Sequence, residues 1–136
     1  MSVPIFLAQR HVLELAFSLD FLTPARENRL TMTYCTVFEL QLALAEKAPG
    51  AHFIDVRTPE EYTEEHITGF VNVPVGSPHD SSMYGSGPVY VHCHTHRRAQ
   101  RVAKELSTIG VENVIVVNMC IVAWLMAGYP VVRGEE

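Results

Sequence analysis

This sequence lacks the means for a disulfide framework. Three cysteines, Cys35, Cys93 and Cys120, are too few and too odd in number to staple a small secreted fold. A reducing, cytoplasmic setting is therefore expected, and in such a setting a cysteine is kept for its chemistry. Basic charge is also short: ten Lys and Arg against fifteen Asp and Glu leave a formal net charge of -5. That balance excludes general nucleic-acid binding, because a phosphate backbone must be met by a basic face. Long apolar runs are absent as well. The stretch from Pro4 to Leu22 is broken by Arg10, His11, Glu14 and Asp20, so it predicts no membrane span, and it has neither the basic start nor the cleavage site of a signal peptide. What the 136 residues do contain is 48% hydrophobic and 18% charged residues, enough to bury one globular core.

Residues 1–31 read as an N-terminal extension. Ile5, Ala8, Val12, Leu15, Ala16, Leu19 and Leu22 recur near helical spacing between Pro4 and Pro24, a pattern that predicts an amphipathic helix. Its apolar face is expected to rest on the chain's own domain or on a second copy, which would make a homodimer through residues 1–31. An interfacial membrane role stands behind it, and a translation start at Met32 is the third reading.

From Met32 to Glu136 the pattern is that of a single domain in which strand and helix alternate. Thr33 to Cys35 predicts a short strand, and Thr36 with Glu39 forms a capping-box pair that opens a helix through Leu44. His52 to Val56 is a buried-type strand, followed by a helix with Thr58 as N-cap and Pro59 in its first position. Phe70 to Val73 predicts another strand, and Gly76 to Pro88 a polar loop that leaves its neighbourhood open. Val89 to His92, a helix to Ile109 with Gly110 at its end, Val114 to Val117, and a helix around Trp124 complete the series. Such alternation predicts an α/β fold, a parallel sheet with helices on both faces.

Within that series one stretch points to chemistry. Cys93 ends the run Val89-Tyr90-Val91-His92, and helical spacing resumes with Ala99, Val102, Ala103 and Leu106. The thiol is thus expected at the carboxyl end of a strand and the amino end of a helix, among unpaired N–H groups, with Arg97 and Arg98 in the first turn and Arg101 and Lys104 beyond. A cysteine so placed should have a lowered pKa and act as a nucleophile, and the same N–H groups can hold an anion.

Several separated motifs, in order, resemble the rhodanese, or sulfurtransferase, family over roughly residues 32 to 133. Asp55-Val56-Arg57 with Glu61-Tyr62 resembles its first signature, His66-Ile67 with Gly69 its second, and Asn72-Val73-Pro74 its Asn-x-Pro. Cys93 to Arg98 fits its loop of Cys, four residues, Arg, and Trp124 to Val132 its closing segment. The resemblance implies a sheet of about five strands and a persulfide on Cys93, charged from thiosulfate or another small sulfur-containing anion and discharged to cyanide, a thiol or a protein acceptor. Backbone N–H groups from His94 to Arg98 would cradle that anion. His94, Thr95 and His96 would shape the mouth, Arg97 would lie near, and Arg98 would anchor the loop or the anion. Phosphatases and arsenate reductases of this fold carry five residues before the Arg, so the shorter loop favours sulfur transfer and places oxyanion chemistry third.

The chain also departs from the family pattern. No glycine lies between Cys93 and Arg98, so His96 or Arg97 is expected to adopt a strained, left-handed conformation. Met119-Cys120 replaces an expected Gly-Gly, Thr68 a Pro, and Phe70 an Ala. Cys120 is expected near Cys93, more as a small buried apolar residue than as a resolving thiol. These departures keep a second class open, a catalytically silent binding or redox-sensing module. His92, His94 and His96 raise metal binding, but alternate strand residues point apart, and neither metal nor organic cofactor is expected. Asp55 and Arg57 are expected to pair and fix the loops beneath the site, and His66 to close its turn by a ring hydrogen bond.

Overall fold

Short β-branched and aromatic runs supply the strands, and their order in space places Cys93 near the middle of one sheet edge. The computed structural model describes residues 32–134. Within them β1 (Thr33–Cys35), β2 (His52–Asp55), β3 (Val71–Asn72), β4 (Val89–His92) and β5 (Val114–Val117) form a five-stranded parallel sheet in the order β1-β5-β4-β2-β3. The expected parallel α/β sheet is therefore present. The amphipathic helix predicted within residues 1–31, and the dimer built on it, lie outside the described residues.

Side chains alternate across each strand, and the two faces are covered by different helices. Ile54, Val89, Val91, Val114 and Val116 face α3 (Arg97–Thr108), which lays Ala99, Val102, Ala103 and Leu106 against them. Phe53, Tyr90, Ile115 and Val117 point the other way, toward Val37 and Leu40 of α1 (Val37–Glu46) and Cys120, Ile121 and Trp124 of α4 (Cys120–Met126). Leu40 and Leu106 are fully buried. Each side chain of that size contributes about 1.5–3 kcal/mol through removal from water, so these two layers hold the strands whose ends carry the site.

Local signals start and stop the elements. The Thr36 hydroxyl accepts from the Glu39 N–H at 3.2 Å and Glu39 accepts from the Thr36 N–H at 3.1 Å, the reciprocal pair that opens α1. Thr58 accepts from the Glu61 N–H at 3.2 Å to open α2 (Pro59–Glu64). The loop after β3 contains one 3-10 turn (Ser81–Met83), and its Tyr84 is buried in the α3-side core. Where that loop returns, Gly87 lies directly against the Gly50 carbonyl, so close that a β-carbon could not fit.

The strain expected in the loop after Cys93 is found elsewhere. Among the described residues, only Lys47 (φ 48°) and Met119 (φ 53°) combine a side chain with left-handed backbone, and His96, at φ -162°, is extended. The left-handed residue is thus Met119, which occupies the first position of the expected Gly-Gly pair. The active loop needs no such residue because α3 begins at Arg97 and its helical turn completes the reversal.

Candidate active site

β4 ends at His92, and the chain turns at Cys93 into a loop that α3 closes four residues later. The Cys93 side chain packs into the α3-side core, and its Sγ accepts from the Ala99 N–H at 3.4 Å. Cys93 is only 1% exposed. That depth overturns the expected lowering of its pKa. Burial pushes the thiol up, while the N–H groups of Ala99, Arg98 and Thr95 and the charge of Arg98 pull it down without prevailing. The helix-start donors are present, but they act on a sulfur set too deep in apolar surroundings for them to win.

Above the sulfur opens a cavity of about 520 Å³ lined by Glu61, Cys93, His94, Thr95, Arg97 and Arg98. Of the residues singled out in the sequence, His96 does not line it; that residue serves as the N-cap position of α3, without a side-chain capping bond. Two attachments fix the loop. The Cys120 N–H donates to the Thr95 carbonyl at 3.2 Å, which ties the loop to the start of α4. Arg98 donates through both terminal nitrogens to Glu61, at 3.1 and 3.0 Å, which ties it to α2. Both terminal nitrogens of Arg98 are thus engaged by Glu61. Glu61 is a site residue that the sequence reading left as part of a signature. Two arginines beside a cysteine, with a carboxylate at the third position of the helix after the neighbouring strand, were the signal available.

Beneath the loop lies a buried polar cluster. Asp55 at the end of β2 accepts from Arg57 Nη2 at 2.7 Å and Nε at 3.0 Å, and from the Arg57 backbone N–H at 3.0 Å. His92 Nε2 lies 3.1 Å from the same carboxylate, at an angle that leaves it outside hydrogen-bond alignment. Burial opposes charge on Asp55, yet His92 and Arg57 together hold its carboxyl far below the usual carboxylate range. His92 Nδ1 sits 2.9 Å from the Cys93 carbonyl, so the cluster reaches the backbone of Cys93. Arg57 also donates to the Glu65 carbonyl at 2.8 Å, and Asn72 donates to the carbonyls of Asp55 and Arg57. Asp55 and Arg57 are therefore below the cavity, not in it. His66 is away from it too, its ring stacked on Tyr62 with Nδ1 2.7 Å from the Tyr62 carbonyl.

Cys120 is fully buried in the opposite apolar layer, together with Cys35. Burial pushes its thiol well up, and the charge of Asp55 adds to the effect. Cys35 is pushed up to about 12, also by burial first.

Residues 39–127 match the family model described as rhodanese-like domain. The chain is 32% identical over 82 residues to the thiosulfate sulfurtransferase PspE of Escherichia coli, covering 57% of this chain and 74% of that protein. It is 29% identical over 108 residues to the protein slr1261 of Synechocystis sp., covering 78% of this chain and 60% of that one, so it spans less than two thirds of that relative's length. A thiosulfate sulfurtransferase structure from Pseudomonas aeruginosa superposes with a TM-score of 0.66 at 22% identity, over 76% of this chain and 21% of the larger one.

Proposed function

This chain belongs to the rhodanese-like domain family, which includes sulfurtransferases among its relatives, and from that premise we propose that it transfers sulfane sulfur through Cys93. The Cys93 thiol gives up its proton to solvent, and the thiolate attacks the outer sulfur of thiosulfate or a similar donor. The donor's S–S bond breaks and sulfite leaves with the electron pair, while a persulfide remains on Cys93. Cyanide, a thiol or a protein thiolate then takes the outer sulfur and returns the Cys93 thiolate. Three free thiols suit this reaction to the reducing cytoplasm. The observation that carries the reading is the position of Sγ, at the floor of a cavity and within reach of backbone N–H donors that can stabilise a sulfur anion.

Intact-protein mass spectrometry after brief exposure to thiosulfate tests it. The expected result is a gain of one sulfur atom, absent in Cys93→Ser and discharged by cyanide. One observation favours the second class, a silent or redox-sensing module: Cys93 is nearly inaccessible, with its thiol pushed up. No sulfur gain at any pH up to 10, or a loss of two hydrogens that requires Cys120, would move the conclusion there.

A further inference from the structure

Cys93 is followed by a run of basic residues, and the structure separates them by what each already holds. Arg98 is committed, with both terminal nitrogens on the two carboxylate oxygens of Glu61 at 3.1 and 3.0 Å. Arg101 points away along α3 and pairs with Glu105 at 3.4 Å. Lys104 lies outside the cavity lining. Arg97 lines the cavity, is exposed, and among the described residues its guanidinium has no ion pair or hydrogen bond. An incoming anion that engaged Arg98 would have to displace a carboxylate already held by two charge-assisted bonds. One that engaged Arg97 displaces no partner among the described residues.

The cavity's charge leads to the same assignment. Glu61 cancels Arg98, so among the described residues the cavity wall carries one uncompensated cation, Arg97. Building on the sulfur-transfer reading, we infer that Arg97 is the specificity-determining residue, recognising the anionic head of the sulfur donor, and that Arg98 is a positioning residue held by Glu61. The donor class that follows is one whose sulfane sulfur is attached to a sulfonate-like or carboxylate-bearing group. Charge on that group is read by a single guanidinium at the rim, and the N–H cradle receives the sulfur.

The test uses the full chain and three variants, Arg97→Gln, Arg97→Lys and Arg98→Lys, with thermal melts confirming that each folds. In thiosulfate:cyanide turnover, Arg97→Gln should raise the thiosulfate KM about tenfold while kcat stays within about twofold, and Arg97→Lys should recover part of the loss. Arg98→Lys should lower kcat or the melting temperature and leave KM nearly unchanged. An unchanged KM in Arg97→Gln, or a KM rise confined to Arg98→Lys, overturns the assignment while leaving sulfur transfer intact. If the wild type turns over no thiosulfate, sulfur transfer from that donor fails, and protection of Cys93 from iodoacetamide by sulfite at pH 9 decides the role of Arg97 alone. Protection lost in Arg97→Gln supports it; equal protection in both, or none in the wild type, overturns it.

Discussion

Cys93 and Cys120 each follow a strand of the same parallel sheet, β4 and β5, and both are buried, yet their surroundings differ in kind. Burial raises both thiols. Around Cys93 it is opposed by three backbone N–H groups and a guanidinium, and a cavity opens above the sulfur. Around Cys120 the charge of Asp55 reinforces it, and the residue belongs to the apolar cluster that holds Cys35, Leu40, Val117 and Trp124. Depth does not tell a reactive cysteine from a packing one. The donors aimed at the sulfur do, because only they can stabilise its anion when a substrate arrives.

The sharpest way to break this contrast is to remove each sulfur in turn. Cys93→Ser should reduce sulfur transfer at least roughly 10³-fold, whereas Cys120→Ala should keep the persulfide and cost mainly stability. Mass spectrometry and turnover on both variants decide it, and equal losses would mean that the two thiols act together. A smaller effect concerns alkali. A thiol raised by burial favours the fold while it stays protonated in both states. Above about pH 8.5 the unfolded chain sheds that proton first, so stability should fall as pH rises, until the folded thiol also ionises, for Cys35 near 12. The loss by pH 10 is bounded at about 2 kcal/mol per buried thiol, and urea midpoints at pH 7.5 and 10, in wild type and Cys120→Ala, measure the share due to that residue. The smallest effect separates the two strand-to-helix turns. Met119→Gly should relieve the left-handed backbone at φ 53° and raise stability by up to about 1 kcal/mol, while His96→Gly, at an extended position, should give no gain. The two thermal melts compare directly.

Much of this fold was legible because its signals are local. The Thr36 and Glu39 pair, Pro59 after Thr58, and the alternation of Val89, Tyr90 and Val91 each specify an element within a few residues. The site was legible in outline for the same reason, since a cysteine between strand and helix announces itself. What escaped the sequence depends on three dimensions. The Arg98–Glu61 pair joins residues 37 positions apart. The raised Cys93 pKa follows from the burial of its thiol in the α3-side core, which depends on how helix and sheet pack. That the loop after Cys93 needs no left-handed residue follows from where α3 begins, which spacing alone left uncertain by a residue or two.

One of the two fastenings of the active loop rests on α2, a helix of six residues none of which is buried. Such an element has little apolar contact to lose and can open and reclose while the sheet remains intact, at a free energy well below that of global unfolding. Glu61 moves with it. The Arg98–Glu61 attachment is thus governed by local breathing of a surface helix, so the amide-exchange rate of α2, more than the protein's melting temperature, reports how long that attachment persists.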